Sequence, residues 1–141
     1  MIDFKNGKIV FNRNKFIIKK GLTQDEFIKS ILFNEVKQHQ DYGYTVYFLN
    51  PQLINNEEFL IAMYFDKNNI IEFVDFRLKG NDITPLLENW TESAELVKKE
   101  EHDKWLLENI GFPSYDYNWG TITSHYEPRS CSSTITLRYS K

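Results

Sequence analysis

Short apolar runs rich in aromatic and β-branched residues, punctuated by turn residues, fill much of this chain and helical spacing appears in only two places, a pattern that predicts a sheet-rich fold. Ile2–Lys5 and Lys8–Phe11 flank Asn6-Gly7, a pair that favours left-handed backbone at both centres of a two-residue type I′ hairpin. After Asn12-Arg-Asn14, Lys15–Lys19 reads as a third short strand. Gly21 breaks the pattern and Thr23-Gln-Asp-Glu26 has capping-box spacing. The helix it opens, Gln24 to about Leu32, presents Phe27, Ile28, Ile31 and Leu32 on one side. Phe33–Tyr42 is polar and receives no element.

The middle of the chain reads as a meander. Tyr44–Leu49 is β-rich and stops at Asn50-Pro51, and Glu58–Phe65 is apolar almost throughout, as a strand covered on both faces would be. Asp66-Lys-Asn-Asn69 is turn chemistry. In the next run, Ile70–Leu78, the apolar phase slips between Ile71/Phe73 and Val74/Phe76/Leu78, so either both faces are packed or a bulge lies near Phe73-Val74. Lys79-Gly-Asn-Asp82 closes the meander, and Pro85–Trp90 reads as a loop or a helical turn.

Thr91 is a suitable N-cap for a long helix, Glu92–Asn109, ended by Gly111 and Pro113. Steps of three and four trace an apolar stripe through Ala94, Val97, Trp105, Leu106 and Ile110. One turn of that stripe is missing, and Glu101 and His102 occupy it, whereas Lys98, Lys99 and Asp103 are expected to point away. A last hairpin pairs Trp119–Tyr126 with Ser133–Tyr139 across Glu127–Ser132. The fold class expected is α+β: a mostly antiparallel sheet with a short N-terminal helix and one long helix packed on it. At 141 residues, with no linker or internal repeat, 1–141 is expected to form one domain.

Composition narrows the function classes. Seventeen Lys and Arg against 20 Asp and Glu make a mildly acidic chain, unlike a general nucleic-acid binder. One cysteine fits a reducing compartment, the stretch Met1–Gly7 has no apolar core of signal-peptide length, and no apolar run approaches the length of a membrane span. A cytoplasmic protein with no membrane and no nucleic-acid partner is expected.

Candidate chemistry gathers at the two ends of the second half. Glu101 and His102 beneath a tryptophan need partners, because an unpaired buried charge is costly; Arg129, Arg138, Arg77 or a tyrosine hydroxyl is a candidate partner. A polar network tying helix to sheet is the plainer reading and an acid/base pair the sharper one. His125 and Arg129 flank the tip of the last hairpin, with Glu127 and Ser130 at hand. Cys131 has no orienting third residue, and His39, His102 and His125 lack metal-ligand spacing. No catalytic residue, metal or cofactor is therefore assigned.

Gly21-Leu-Thr with Glu26-Phe27, Glu101-His102, Trp105-Leu106, Gly111, Trp119-Gly120, Tyr126-x-Pro-Arg-Ser130 and the closing Ile135–Tyr139 strand resemble small, mostly uncharacterised bacterial proteins, some of them immunity-like. Glu127 stands where that group's Asp-Pro-Arg pattern has its Asp. The resemblance implies a protein partner, a toxin domain neutralised by occlusion. Glu92, Glu95, Glu100, Asp103 and Glu108 would form the acidic face that meets it. The alternative is a small-molecule binder or enzyme using Glu101, His102, His125 and Arg129, and a homodimer joined through a sheet edge is a third reading.

Overall fold

The computed structural model describes residues 2–11, 16–30, 36–79 and 91–140. Among them lie eleven strands and two helices. A small antiparallel sheet of β1 (Ile2–Asp3), β2 (Lys8–Phe11) and β3 (Phe16–Ile18) precedes helix α1 (Gln24–Ile28). The large sheet is built from β4 (Val36–Asp41), β5 (Tyr44–Leu49), β6 (Gln52–Ile54), β7 (Glu57–Phe65) and β8 (Ile71–Leu78), then helix α2 (Glu92–Asn109), then β9 (Asp116–Tyr117), β10 (Gly120–Glu127) and β11 (Ser132–Tyr139). Its order is β4-β5-β7-β8-β11-β10-β9, with β6 also on β7 and every pairing antiparallel. The fold is α+β with mostly antiparallel sheet, as the sequence pattern predicts.

Two of the hairpins are closed by two-residue turns with positive φ at both centres, as type I′ requires: Tyr42-Gly43 between β4 and β5, and Asn55-Asn56 between β6 and β7. Asn6-Gly7 is not such a turn. Asp3 pairs with Lys8 across four residues, and the Asp3 carboxylate accepts from the Asn6 side chain at 2.8 Å. Only Gly7 takes positive φ there, and a Cβ on it would sit 2.4 Å from the Trp119 ring. Tertiary packing sets this turn: Trp119 donates to Phe4 O, and the Tyr139 hydroxyl donates to Gly7 O. The N-terminal hairpin is thereby fastened to β10 and β11.

β5 and β6 act as one interrupted partner of β7. The register runs Phe48↔Ala62 but resumes as Gln52↔Phe59, one residue longer, and Pro51 has no N–H to continue the ladder. The capping box of α1 forms as predicted, with Thr23 Oγ1 accepting from Glu26 N and Glu26 reaching back to Thr23 N. Phe27 is buried but Ile28 is 39% exposed, and Ile31 and Leu32 lie outside the described residues, as does Pro85–Trp90.

One contiguous core joins both sheets and both helices. At one end Phe27 packs on Phe16, Tyr47 and Phe65; at the other Trp105 packs edge-on to Phe59, Phe76 and Phe4. The phase slip in β8 is a bulge: Phe65 pairs with Ile71 and Tyr64 with Phe73, which leaves Glu72 as the extra residue. From Val74 onward the even positions face the core, and Asp75 and Arg77 face the other way. No helix among the described residues is long and apolar enough to cross a membrane.

Candidate functional site

Helix α2 runs Glu92–Asn109 from its Thr91 cap, as predicted; His102, Trp105 and Leu106 are buried as expected, but the first half is rotated from the expected stripe. Its buried residues are Glu95, Lys98, His102, Trp105 and Leu106, whereas Ala94 and Val97 are exposed. Lys98 does not point away and Glu101 is not buried; its side chain is 53% exposed, 4.0 Å from Lys98 Nζ. A charged face inward makes sense only if the sheet presents polar groups there, and it does.

β8 and β11 pair as far as Phe76↔Ile135 and then separate. Lys79 N–H bonds Glu58 O on β7, so the N–H and C=O of Leu78, one residue back, face the opening toward β11. The Leu78 N–H donates to His102 Nε2 at 3.0 Å, and the Leu78 C=O accepts from Lys98 Nζ at 3.0 Å. On the other lip, Ser133 N–H donates to Glu95 Oε2 at 3.1 Å and Ser133 Oγ to Glu95 O at 2.5 Å. Arg77 then grips the Glu95 carboxylate with both arms, at 2.9 and 3.0 Å. Three side chains of one helix face replace the missing rungs of the ladder, and His102 is unprotonated at Nε2 where it accepts.

The four predicted polar-site residues are not assembled. His102 is buried on the core side; His125 lies on the outward side of β10, its Nε2 3.4 Å from Thr134 Oγ1. Arg129 sits on the exposed tip of the last hairpin, where its backbone N–H bonds Glu127 Oε1. That hairpin and the helix are joined by a polar contact, but its members are Glu95, Arg77 and Ser133. Of the expected acidic face, Glu92, Glu100, Asp103 and Glu108 are exposed and Glu95 is not. Cys131 is exposed at the hairpin tip with φ 53, and no group of three metal-ligating side chains occurs among the described residues.

The outward face of the large sheet holds a groove of about 480 Å³; His125, Glu127 and Ser130 of the expected hairpin site line it, but its apolar floor and Asp75 were not anticipated from the sequence. Leu60, Ala62 and Tyr64 of β7 alternate with its core residues and form the floor with Phe48 of β5. Asp75, His125 and Thr134 supply polar groups from β8, β10 and β11. Asp75 is largely buried; it accepts from Thr136 Oγ1 at 2.5 Å, and burial raises its carboxyl above the usual range despite that bond and the nearby His125 and Arg138 charges. One wall ends in a cluster where Tyr64 stacks on Phe73 at 4.1 Å and Arg138 lies 4.3 Å above the Phe73 ring. Arg138 also pairs with Glu72, which takes a short bond from the Tyr44 hydroxyl. The signal for this face was the unbroken apolar run of β7.

Comparison with protein families, curated proteins and solved structures finds no match to this chain.

Removing the carboxylate with Glu95→Ala should lower unfolding free energy in urea by about 3–5 kcal/mol, because Arg77 and the Ser133 N–H lose it together. Arg77→Met with Glu95→Leu should recover much of that loss. For Asp75, a folded-state carboxyl held above its ordinary value contributes stability below the unfolded pKa and loses it as pH rises through the folded one. Asp75→Asn, which still accepts from Thr136, should therefore be more stable than the parent at pH 7. That advantage should vanish near pH 3.8, the ordinary aspartate value, in paired urea titrations.

Proposed function

We propose that the chain is a non-enzymatic protein-binding module of the cytoplasm, immunity-like in mode, that docks a basic partner through the outer face of α2. The observation that carries this reading is the exposed apolar set on a helix whose other face is already packed and bonded into the sheet. Leu96 is 43% exposed, Val97 52% and Leu107 44%, and Phe112 just beyond the helix is 85% exposed. Glu92, Glu100, Asp103 and Glu108 are exposed on the same helix. Apolar anchors among charges that are acidic on balance, four carboxylates against Lys99 and Lys104, suit a surface that steers an oppositely charged partner and then excludes water.

The charges are not equal. Lys99 pairs with Asp103 at 2.7 Å and Lys104 with Glu108 at 3.9 Å, whereas Glu92 and Glu100 have no cationic partner among the described residues. Glu100, close to Leu96 and Val97, is therefore the carboxylate with most to gain from a partner's Lys or Arg. A toxin that cleaves nucleic acid carries a basic active site, and occlusion by such a face would neutralise it. The engagement of His102, Lys98 and Glu95 in the fold supports binding over acid/base chemistry on this helix.

A photocrosslinker at position 96 or 107 should capture the same basic protein in the native cell, and one at Leu53 on β6 should not. The captured protein, purified, should bind the parent at least tenfold more tightly than Glu100→Lys, and co-expression of the parent should relieve any growth arrest it causes. An acidic protein, or no crosslink specific to the helix, would contradict the reading.

A further inference from the structure

We infer that the groove on the outward face of the large sheet binds a small organic cation with a flat apolar body, of the aryl-alkylamine class. This site is separate from the α2 surface and goes beyond the protein-binding reading. Its volume, about 480 Å³, falls within the roughly 300–1,000 Å³ common for small-molecule sites. Phe48, Leu60, Ala62 and Tyr64 make an apolar floor wide enough for an aromatic body. Phe48 remains 44% exposed, so part of that floor is open to whatever binds there.

Charge decides the ligand's sign. Two carboxylates line the groove, Asp75 in the sheet and Glu127 at the rim, together with the guanidinium of Arg77. The Arg77 charge is taken by Glu95, which grips it from the helix side. The next guanidinium, Arg138, is held by Glu72 over the Phe73 ring. Neither Asp75 nor Glu127 has an ion pair among the described residues: Asp75 accepts from a threonine hydroxyl, and Glu127 from the Arg129 backbone. Burial already raises the Asp75 carboxyl, and an ammonium arriving beside it would offset that desolvation. A phosphate or carboxylate ligand would instead meet two like charges. Thr134 and His125 complete the polar end with hydrogen-bonding groups next to Asp75.

Three probes of one shape separate the terms: tryptamine, its neutral alcohol analogue indole-3-ethanol, and the anion indole-3-propionate. In titrations followed by amide NMR shifts, tryptamine should perturb Ala62, Asp75 and Thr134 and bind at least tenfold more tightly than the alcohol, with the anion weakest. Asp75→Asn should cost tryptamine about tenfold, the scale of a hydrogen bond to a charged group, and leave the alcohol unchanged. The alcohol result also reports that the variant's groove is intact. Equal binding of amine and anion, no binding of any probe, shifts mapping outside the groove, or an Asp75→Asn variant that binds tryptamine like the parent would each overturn the inference.

Discussion

Everything in the second half of this fold depends on how two buried strands part. A sheet that splits leaves N–H and C=O groups facing each other across a gap too wide to bond, and each buried orphan costs about 1–3 kcal/mol. Here the gap between Leu78 and Ser133 is filled from one side by Glu95, Lys98 and His102, spaced three and four apart on a single helix face. Arg77 locks the arrangement by gripping Glu95 with two bonds. This choice explains why α2 has charged residues where a helix on a sheet ordinarily has leucines. The apolar share of its docking is left to Trp105 and Leu106, one turn further on.

The same split shapes the outward side. Because Arg77 spends its charge on Glu95, the groove keeps the carboxylates of Asp75 and Glu127 without a free guanidinium between them. Because the bulge at Glu72 turns two successive side chains outward, Glu72 and Phe73 both reach Arg138 and hold it at the groove's end. Inward polar anchoring also frees the far face of α2, where Leu96, Val97 and Leu107 stand among mostly acidic side chains. A helix pinned by hydrogen bonds as well as packing presents that face with little freedom left to lose on binding.

Local chemistry was legible in the sequence where local chemistry decides. The Thr23 and Thr91 caps, the bounds of α2 and the final hairpin follow from residue type and period alone. The Asn6-Gly7 turn did not, because Trp119 and Tyr139 select its shape from more than a hundred residues away. The apolar pattern puts only the first half of α2 one residue out of phase: Ala94 and Val97 are apolar and exposed, their neighbours Glu95 and Lys98 are charged and buried, and His102, Trp105 and Leu106 are buried as expected. A hydrophobicity pattern cannot register that inversion, since the inversion depends on partners that only the fold supplies. Arg77 carried a hint, as the lone cation of a strand whose other charged residues are Glu72 and Asp75, and Leu60, Ala62 and Tyr64 carried another. The short strands β6 and β9 and the polar β4 had too little pattern to announce themselves.

Amide hydrogen exchange at Leu78 tests the splice between helix and sheet most directly. If His102 holds that N–H, Leu78 should exchange as slowly as Phe76, whose amide lies in the intact ladder, and only through global unfolding. Exchange at Leu78 as fast as at the exposed hairpin tip, residues 128–131, with Phe76 still protected, would mean that the helix does not complete the sheet, and the account would fail at its centre.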